Sequence, residues 1–293
     1  MQADGYRRVG EINGWQHAEA EIMPGNAGPA QSGRPVTRWP AARVAAVEAL
    51  WGRGFSLPGG GPETLRLAKP LALSPSVTVL LLGGGLGGPA RAITEAFGAW
   101  VASFEADPEL CAIATARVEA TQGPRSKITV APWERSHPAF RPRSAKHALL
   151  LEPLRGTKPA FLLESLATAL TPESQIVLTE LVSDEPPSAQ DREFAAWCRL
   201  EGRAPDIPSC ADITATLQRL HYDVRVTEDM SDRHITQTLS GWREAVHAMA
   251  AGPRPTAPTA AAFVTEAELW LLRIRLMRRL GVRLVRWHAI RAA

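Results

Sequence analysis

The stretch Val77-Thr78-Val79-Leu80-Leu81-Leu82-Gly83-Gly84-Gly85-Leu86-Gly87-Gly88-Pro89-Ala90 decides the reading of this chain. Its first half is an unbroken apolar run, the pattern of a strand buried on both faces. Its second half replaces side chains with glycine and then enters a helix predicted from Pro89 to Phe97. A strand that stops at glycines and re-enters a helix leaves free backbone N–H groups at the helix N-terminus, open to close approach by a ligand. Gly83-x-Gly85-x-x-Gly88 also satisfies the G-x-G-x-x-G pattern, and Glu105 follows at the end of the next apolar run. A carboxylate there accepts from a ribose diol. The local pattern therefore points to a nucleoside-containing cofactor without saying which one. No Lys-Ser or Lys-Thr follows the glycines, which excludes a phosphate-binding P-loop.

Outward from this loop, strands and helices alternate. Strands are predicted at 100–104, 127–130, 147–151 and 175–182. Helices are predicted at 41–51, 108–120 and 159–170, with another starting at Pro62. Such alternation argues for a doubly wound α/β architecture around a parallel sheet. Beyond Val182 the pattern changes: helices at 191–200 and 211–220, a strand at 222–227, helical segments at 236–250 and 264–280, and a last strand at 282–290. Residues 1–40 are polar and rich in Gly and Pro and read as an irregular arm; 41–293 read as one domain.

Composition narrows the function classes. Lys and Arg number 33 against 30 Asp and Glu, a net charge of +3, too small to demand nucleic acid. The 3 cysteines form no C-x-x-C pair and no disulfide framework, so neither a metal site nor an oxidising compartment is expected. Met1–Ala20 has no apolar leader core, and no apolar run is long enough to span a bilayer, so the expectation is a cytoplasmic protein.

Motif and flanks together resemble the class I S-adenosylmethionine-dependent methyltransferases. The quoted run resembles their first motif, and Phe104-Glu105-Ala106-Asp107 resembles the acid after the second strand. Trp51-Gly52-x-Gly54-Phe55 with Pro58-Gly59-Gly60 and Glu63-Thr64 resembles the branch holding phosphoethanolamine and glycine/sarcosine N-methyltransferases. Leu170-Thr171-Pro172 resembles the turn before strand five, and the tail from Glu268 resembles the same branch. The resemblance implies a Rossmann-like seven-stranded sheet with the last strand antiparallel, and cap segments near 41–65 and 191–260. It further implies S-adenosyl-L-methionine as cofactor and methyl transfer to a small or medium-sized acceptor. Gly83, Gly85, Gly87 and Glu105 would hold the cofactor, with Trp133 and Glu134 around adenine. A homodimer or a partner protein is compatible with it.

The departures carry information of their own. The family acid at the end of strand one is Leu81 here, and the glycines after Pro172 are Glu173 and Ser174. No His follows strand four, where the phosphoethanolamine enzymes carry one, so no catalytic residue carries over. Glu152, ending strand four, is the candidate to replace the missing acid. Two alternatives stay open: a degenerate methyltransferase-like domain serving as a binding or partner subunit, and an NAD(P)-dependent oxidoreductase. Elsewhere, His234 reads as an exposed loop residue, Glu180 as a strand residue satisfied by its neighbours, and Arg273 as part of a solvated helix face. The tryptophans Trp39, Trp51, Trp133 and Trp242 read as core or as the lining of an apolar pocket.

Overall fold

The computed structural model describes residues 37–122 and 126–291. The predicted arm falls almost wholly outside the described residues. Seven strands form a single sheet: β1 (Thr78–Leu82), β2 (Trp100–Glu105), β3 (Ile128–Pro132), β4 (His147–Leu151), β5 (Gln175–Val182), β6 (Tyr222–Asp229) and β7 (Arg283–Arg291). Their order is β3-β2-β1-β4-β5-β7-β6. Strands β1 to β5 are parallel, while β7 runs antiparallel to both β5 and β6. The expected seven-stranded sheet with an antiparallel last strand is the one observed.

Nine α-helices are described: α1 (Ala41–Trp51), α2 (Gly60–Ala68), α3 (Gly88–Phe97), α4 (Pro108–Gln122), α5 (Pro159–Ala169), α6 (Arg192–Glu201), α7 (Cys210–Arg219), α8 (Ser231–Ala251) and α9 (Ala257–Arg279). The two-residue period of the strands sorts the core into two layers. Val79, Leu81, Leu149 and Val177 pack with α1, α2, α3, α6 and α9. Leu80, Leu82, Leu150 and Leu178 pack with α5 and α7 on the opposite face. This is why β1 and β4 read as continuous apolar runs: both faces are covered. Helix starts follow ordinary capping chemistry. Asp191 accepts from Phe194 N, Ser209 from Asp212 N and Thr256 from Thr259 N.

Two boundaries differ from the sequence expectation in ways that matter. Helix α8 begins at Ser231, five residues before the predicted 236, so His234 lies on a helix rather than in a loop. It is 4% exposed. The reason is a tertiary contact: Met230 N donates to Leu284 O, pinning the strand end, and His234 N donates to Met230 O to start the first turn at once. Helix α9 begins at Ala257, with Pro258 in its first turn, seven residues before the predicted start.

Candidate active site

The chain leaves β1 at Gly83, and its carboxyl edge is crowded from two sides. A Cβ on Gly83 would lie 2.1 Å from Leu151 O of β4, and one on Gly85 would lie 2.4 Å from Ser56 Oγ in the α1–α2 loop. Both residues also take positive φ, 76° and 54°. Glycine is therefore required twice, for conformation and for room. The loop is further tied down by Gly88 N donating to Gly54 O at 2.8 Å.

Against this loop lies a cavity of about 860 Å³, lined by Gly83, Gly85, Glu105, Trp133, Leu151 and Glu152 among others. Glu105 is 5% exposed. Its Oε2 accepts from Gly85 N at 2.9 Å and its Oε1 from Asp107 N at 3.0 Å. Each oxygen keeps a further acceptor position. Burial pushes the Glu105 carboxyl up, against the pull of those backbone N–H groups and of Arg155 and Arg135.

Glu152, at the end of β4, holds a backbone φ of 50°, in the left-handed region. Its carboxylate is 3% exposed as a residue and receives both ends of a guanidinium: Arg273 Nη1 donates to Oε2 at 2.9 Å and Arg273 Nη2 to Oε1. Arg273 is 1% exposed and also lies 3.6 Å from Glu201 Oε1. Glu201 Oε2 in turn lies 3.7 Å from Arg155 Nη1. Burial raises the Glu152 carboxyl, but the Arg273 charge and hydrogen bonds outweigh it and hold the group below its ordinary value.

Arg273 is the residue the sequence reading missed most plainly. It was expected on a solvated helix face and is instead the buried counter-ion of Glu152. A signal was present: Glu266, Leu269, Trp270, Arg273 and Leu276 follow the three-and-four spacing of one buried stripe on α9. An arginine in phase with a core stripe calls for a buried acid.

The other expected residues divide. Trp133 is buried and lines the cavity. Glu134 is exposed and lines neither this cavity nor its neighbour. Gly87 caps α3 and faces a separate cleft with Arg53 and Arg117. Leu81 is fully buried in the core and lines neither cavity. Trp39, read from the sequence as core or pocket lining, lines the cavity, and Arg38, Arg135 and Arg155 line it without having been foreseen.

A second cavity of about 520 Å³ adjoins the first, sharing Ser56, Leu57, Gly83, Leu151 and Glu152 with it. Its own wall includes Phe55, Pro58, Leu67, Met230, His234 and Leu284. Two adjoining chambers at the carboxyl edge, meeting at the glycine loop and the end of β4, sit where open α/β sheets take their ligands.

Comparison with solved structures settles the fold. The phosphoethanolamine N-methyltransferase 2 of Haemonchus contortus, in complex with phosphomonomethylethanolamine and S-adenosylhomocysteine, superposes with a TM-score of 0.73 at 17% identity. The chain has the S-adenosylmethionine-dependent methyltransferase fold. The match covers 88% of this chain and 59% of that one. The cyclopropane synthase MmaA2 from Mycobacterium tuberculosis matches this methyltransferase fold with a TM-score of 0.61 at 13% identity, covering 78% of this chain and 83% of that one. In sequence, phosphoethanolamine N-methyltransferase 2 of Caenorhabditis elegans is 32% identical over 88 residues, 30% of this chain and 20% of that protein. The chain thus spans less than two thirds of either N-methyltransferase. No known family profile matches it.

Among the described residues no helix is long and apolar enough to cross a membrane. No group of three or more His, Cys, Asp and Glu among them is placed to hold a metal ion.

Proposed function

We propose that this chain binds S-adenosylmethionine in the larger cavity and transfers its methyl group to an acceptor held in the adjoining one. The observation that carries the reading is the placement of Glu105 and the Gly83–Gly85 turn on one wall of a cavity that continues, past Glu152, into a second chamber.

The residues present fit that cofactor. Glu105 has acceptor positions left for a ribose diol after its two backbone bonds. Trp133 offers an apolar ring for adenine. Arg155, on the same wall, supplies a cation for the amino-acid carboxylate. Glu152 stands in for the acid missing at Leu81: Arg273 takes two of its acceptor positions, which leaves others for an ammonium group. Because Arg273 already offsets its charge, Glu152 binds that ammonium less strongly than a free carboxylate would.

Bound there, the cofactor supplies an electrophilic sulfonium methyl. The protein's part is alignment and exclusion of water. Ser56 and Leu57, from the α1–α2 loop, contribute to the walls of both chambers. This division of labour needs no fixed catalytic motif, consistent with the absence of the amine-methylating histidine after β4.

Thermal shift with S-adenosylhomocysteine, NAD and NADP tests the reading. A ligand at 100 times its Kd stabilises a protein by about 2.7 kcal/mol. Stabilisation by S-adenosylhomocysteine alone is the expected result. Stabilisation by NAD or NADP alone would return the chain to the oxidoreductase alternative, and none at all to a degenerate domain.

A further inference from the structure

The smaller chamber has a chemistry of its own. Among the described residues its wall contains no Lys or Arg, and its two acids are already engaged. Glu63 accepts from Arg66 at 2.7 Å and 3.0 Å, from Arg233 at 2.8 Å and from Gln237 at 2.7 Å. Glu152 is locked to Arg273. The polar side chains Thr64 and Thr179 donate to the backbone at Gly60 O and Leu150 O. Gln237 is held on Glu63, and Ser56 places its hydroxyl-bearing side chain at the seam with the larger cavity; the remaining side chains of the wall are apolar, among them Phe55, Leu57, Pro58, Leu67, Met230 and Leu284.

One exception stands out. His234 Nε2 is buried and has no hydrogen-bond partner, the only such side-chain atom among the described residues of this wall. The ring sits 5.9 Å from that of Trp270. A buried polar atom left unpaired has lost its bonds to water without replacement, so it marks a place where something else completes the bond.

We propose that this chamber holds an uncharged, largely apolar acceptor carrying one hydroxyl or N–H group, with His234 as the hydrogen-bonding handle that selects and orients it. The assignment to the acceptor rests on the methyl-transfer reading above. The argument is one of complementarity. A phosphate ester would meet no cation in this wall and two carboxylates, so its dianion would stay in water. An ammonium would find Glu63 saturated and Glu152 already shared between Arg273 and, in the methyl-transfer reading, the cofactor's own ammonium. An apolar body is favoured by the wall itself, and a single polar group has one partner waiting. Burial, and after it the nearby Arg273 charge, hold His234 well below its ordinary pKa. The imidazole is therefore neutral at pH 7, with one ring nitrogen an acceptor.

Calorimetric titration with minimal probes tests this. The probes are p-cresol, toluene, benzylamine and phosphoethanolamine, each titrated into the wild-type protein with and without S-adenosylhomocysteine. We expect p-cresol to bind at least tenfold more tightly than toluene and benzylamine, and phosphoethanolamine not to bind measurably. His234→Phe should erase the preference for p-cresol over toluene while toluene still binds. That retained binding shows the variant is folded. His234→Gln, which keeps a hydrogen-bonding group, should restore part of the preference. Tighter binding of phosphoethanolamine or benzylamine than of p-cresol overturns the proposal, as does a preference for p-cresol that survives in His234→Phe. If the p-cresol preference holds but S-adenosylhomocysteine does not bind, the acceptor role falls with the methyl-transfer reading while the chamber's ligand class stands. If S-adenosylhomocysteine binds and no p-cresol preference is seen, the chamber assignment alone is wrong.

Discussion

Glu173 occupies the turn before β5 where the resembling family has glycine, and its backbone takes φ 56°. The left-handed region costs a residue with a Cβ about 1–2 kcal/mol, while glycine adds unfolded-chain entropy of about 0.4–1 kcal/mol. The side chain is exposed and its ion pair with Lys146 is long, at 3.7 Å, so little is lost on removing it. Glu173→Gly should therefore stabilise the fold by about 0.5–1 kcal/mol in urea unfolding. A loss of similar size would show that the turn is held by the side chain instead. Glu180 offers a second test at this scale. It is fully buried in β5, and desolvation pushes its carboxyl from the ordinary 4.5 up to about 7. Arg203, and then the backbone N–H groups of Leu154 and Leu181, pull the other way, while the neighbouring Glu152 adds to the rise. The native state then binds more protons than the unfolded chain between about pH 4.5 and pH 7. Stability attributable to this group is present below that window and is lost as pH rises through it. Glu180→Gln should flatten this part of the pH dependence, measured as Tm at pH 5 and pH 7.5 beside the wild type. An unchanged pH profile would mean that Glu180 is charged throughout. From the sequence, Glu180 read correctly as satisfied by its neighbours, but nothing local told which neighbours those are. The same holds for His234, whose exposure turned on one backbone bond from Met230 to Leu284.

Among the elements, the pair that matters most joins the end of β4 to the middle of α9. Glu152 and Arg273 are 121 residues apart in sequence. No spacing rule reaches across that distance, which is why the acid was legible as a sheet-edge residue and its partner was not. Removing one member of a buried pair leaves the other charge without compensation and costs about 3–5 kcal/mol, whereas replacing both with apolar residues is often close to neutral. Arg273→Met should accordingly destabilise the protein by about 3–5 kcal/mol, and the double variant Glu152→Met with Arg273→Met should recover much of that loss. Denaturant midpoints of the two single variants and the double variant check this; additive losses would show that the two groups do not act as a pair. Elements built from local signals were read well. The apolar runs of β1, β4 and β5 and the capped start of α7 lie within a few residues of their predicted positions. The starts of α8 and α9 were missed because tertiary contacts and a proline turn, not apolar periodicity, set them.

For the molecule as a whole, the seven-stranded sheet and the antiparallel β7 followed from the glycine motif through a family resemblance, and the structure has them. Composition alone would have stopped at an α/β domain. The wall of the larger cavity was half legible: Gly83, Gly85, Glu105, Trp133 and Glu152 come together on it, while Gly87 faces a separate cleft and Glu134 lines neither of the two adjoining cavities. The arginines of the wall were not legible, because arginine is abundant along this chain and only folding separates buried from solvated ones. The central claim is that Glu105, held by the glycine turn, receives the ribose of an S-adenosyl cofactor. Calorimetric titration of S-adenosylhomocysteine into the wild type, Glu105→Gln and Glu105→Ala tests it most directly. The account predicts saturable one-to-one binding by the wild type, weakened by about 1–3 kcal/mol in Glu105→Ala and by less in Glu105→Gln, which keeps one acceptor oxygen. Equal affinity in all three proteins, or no binding by the wild type, would contradict it.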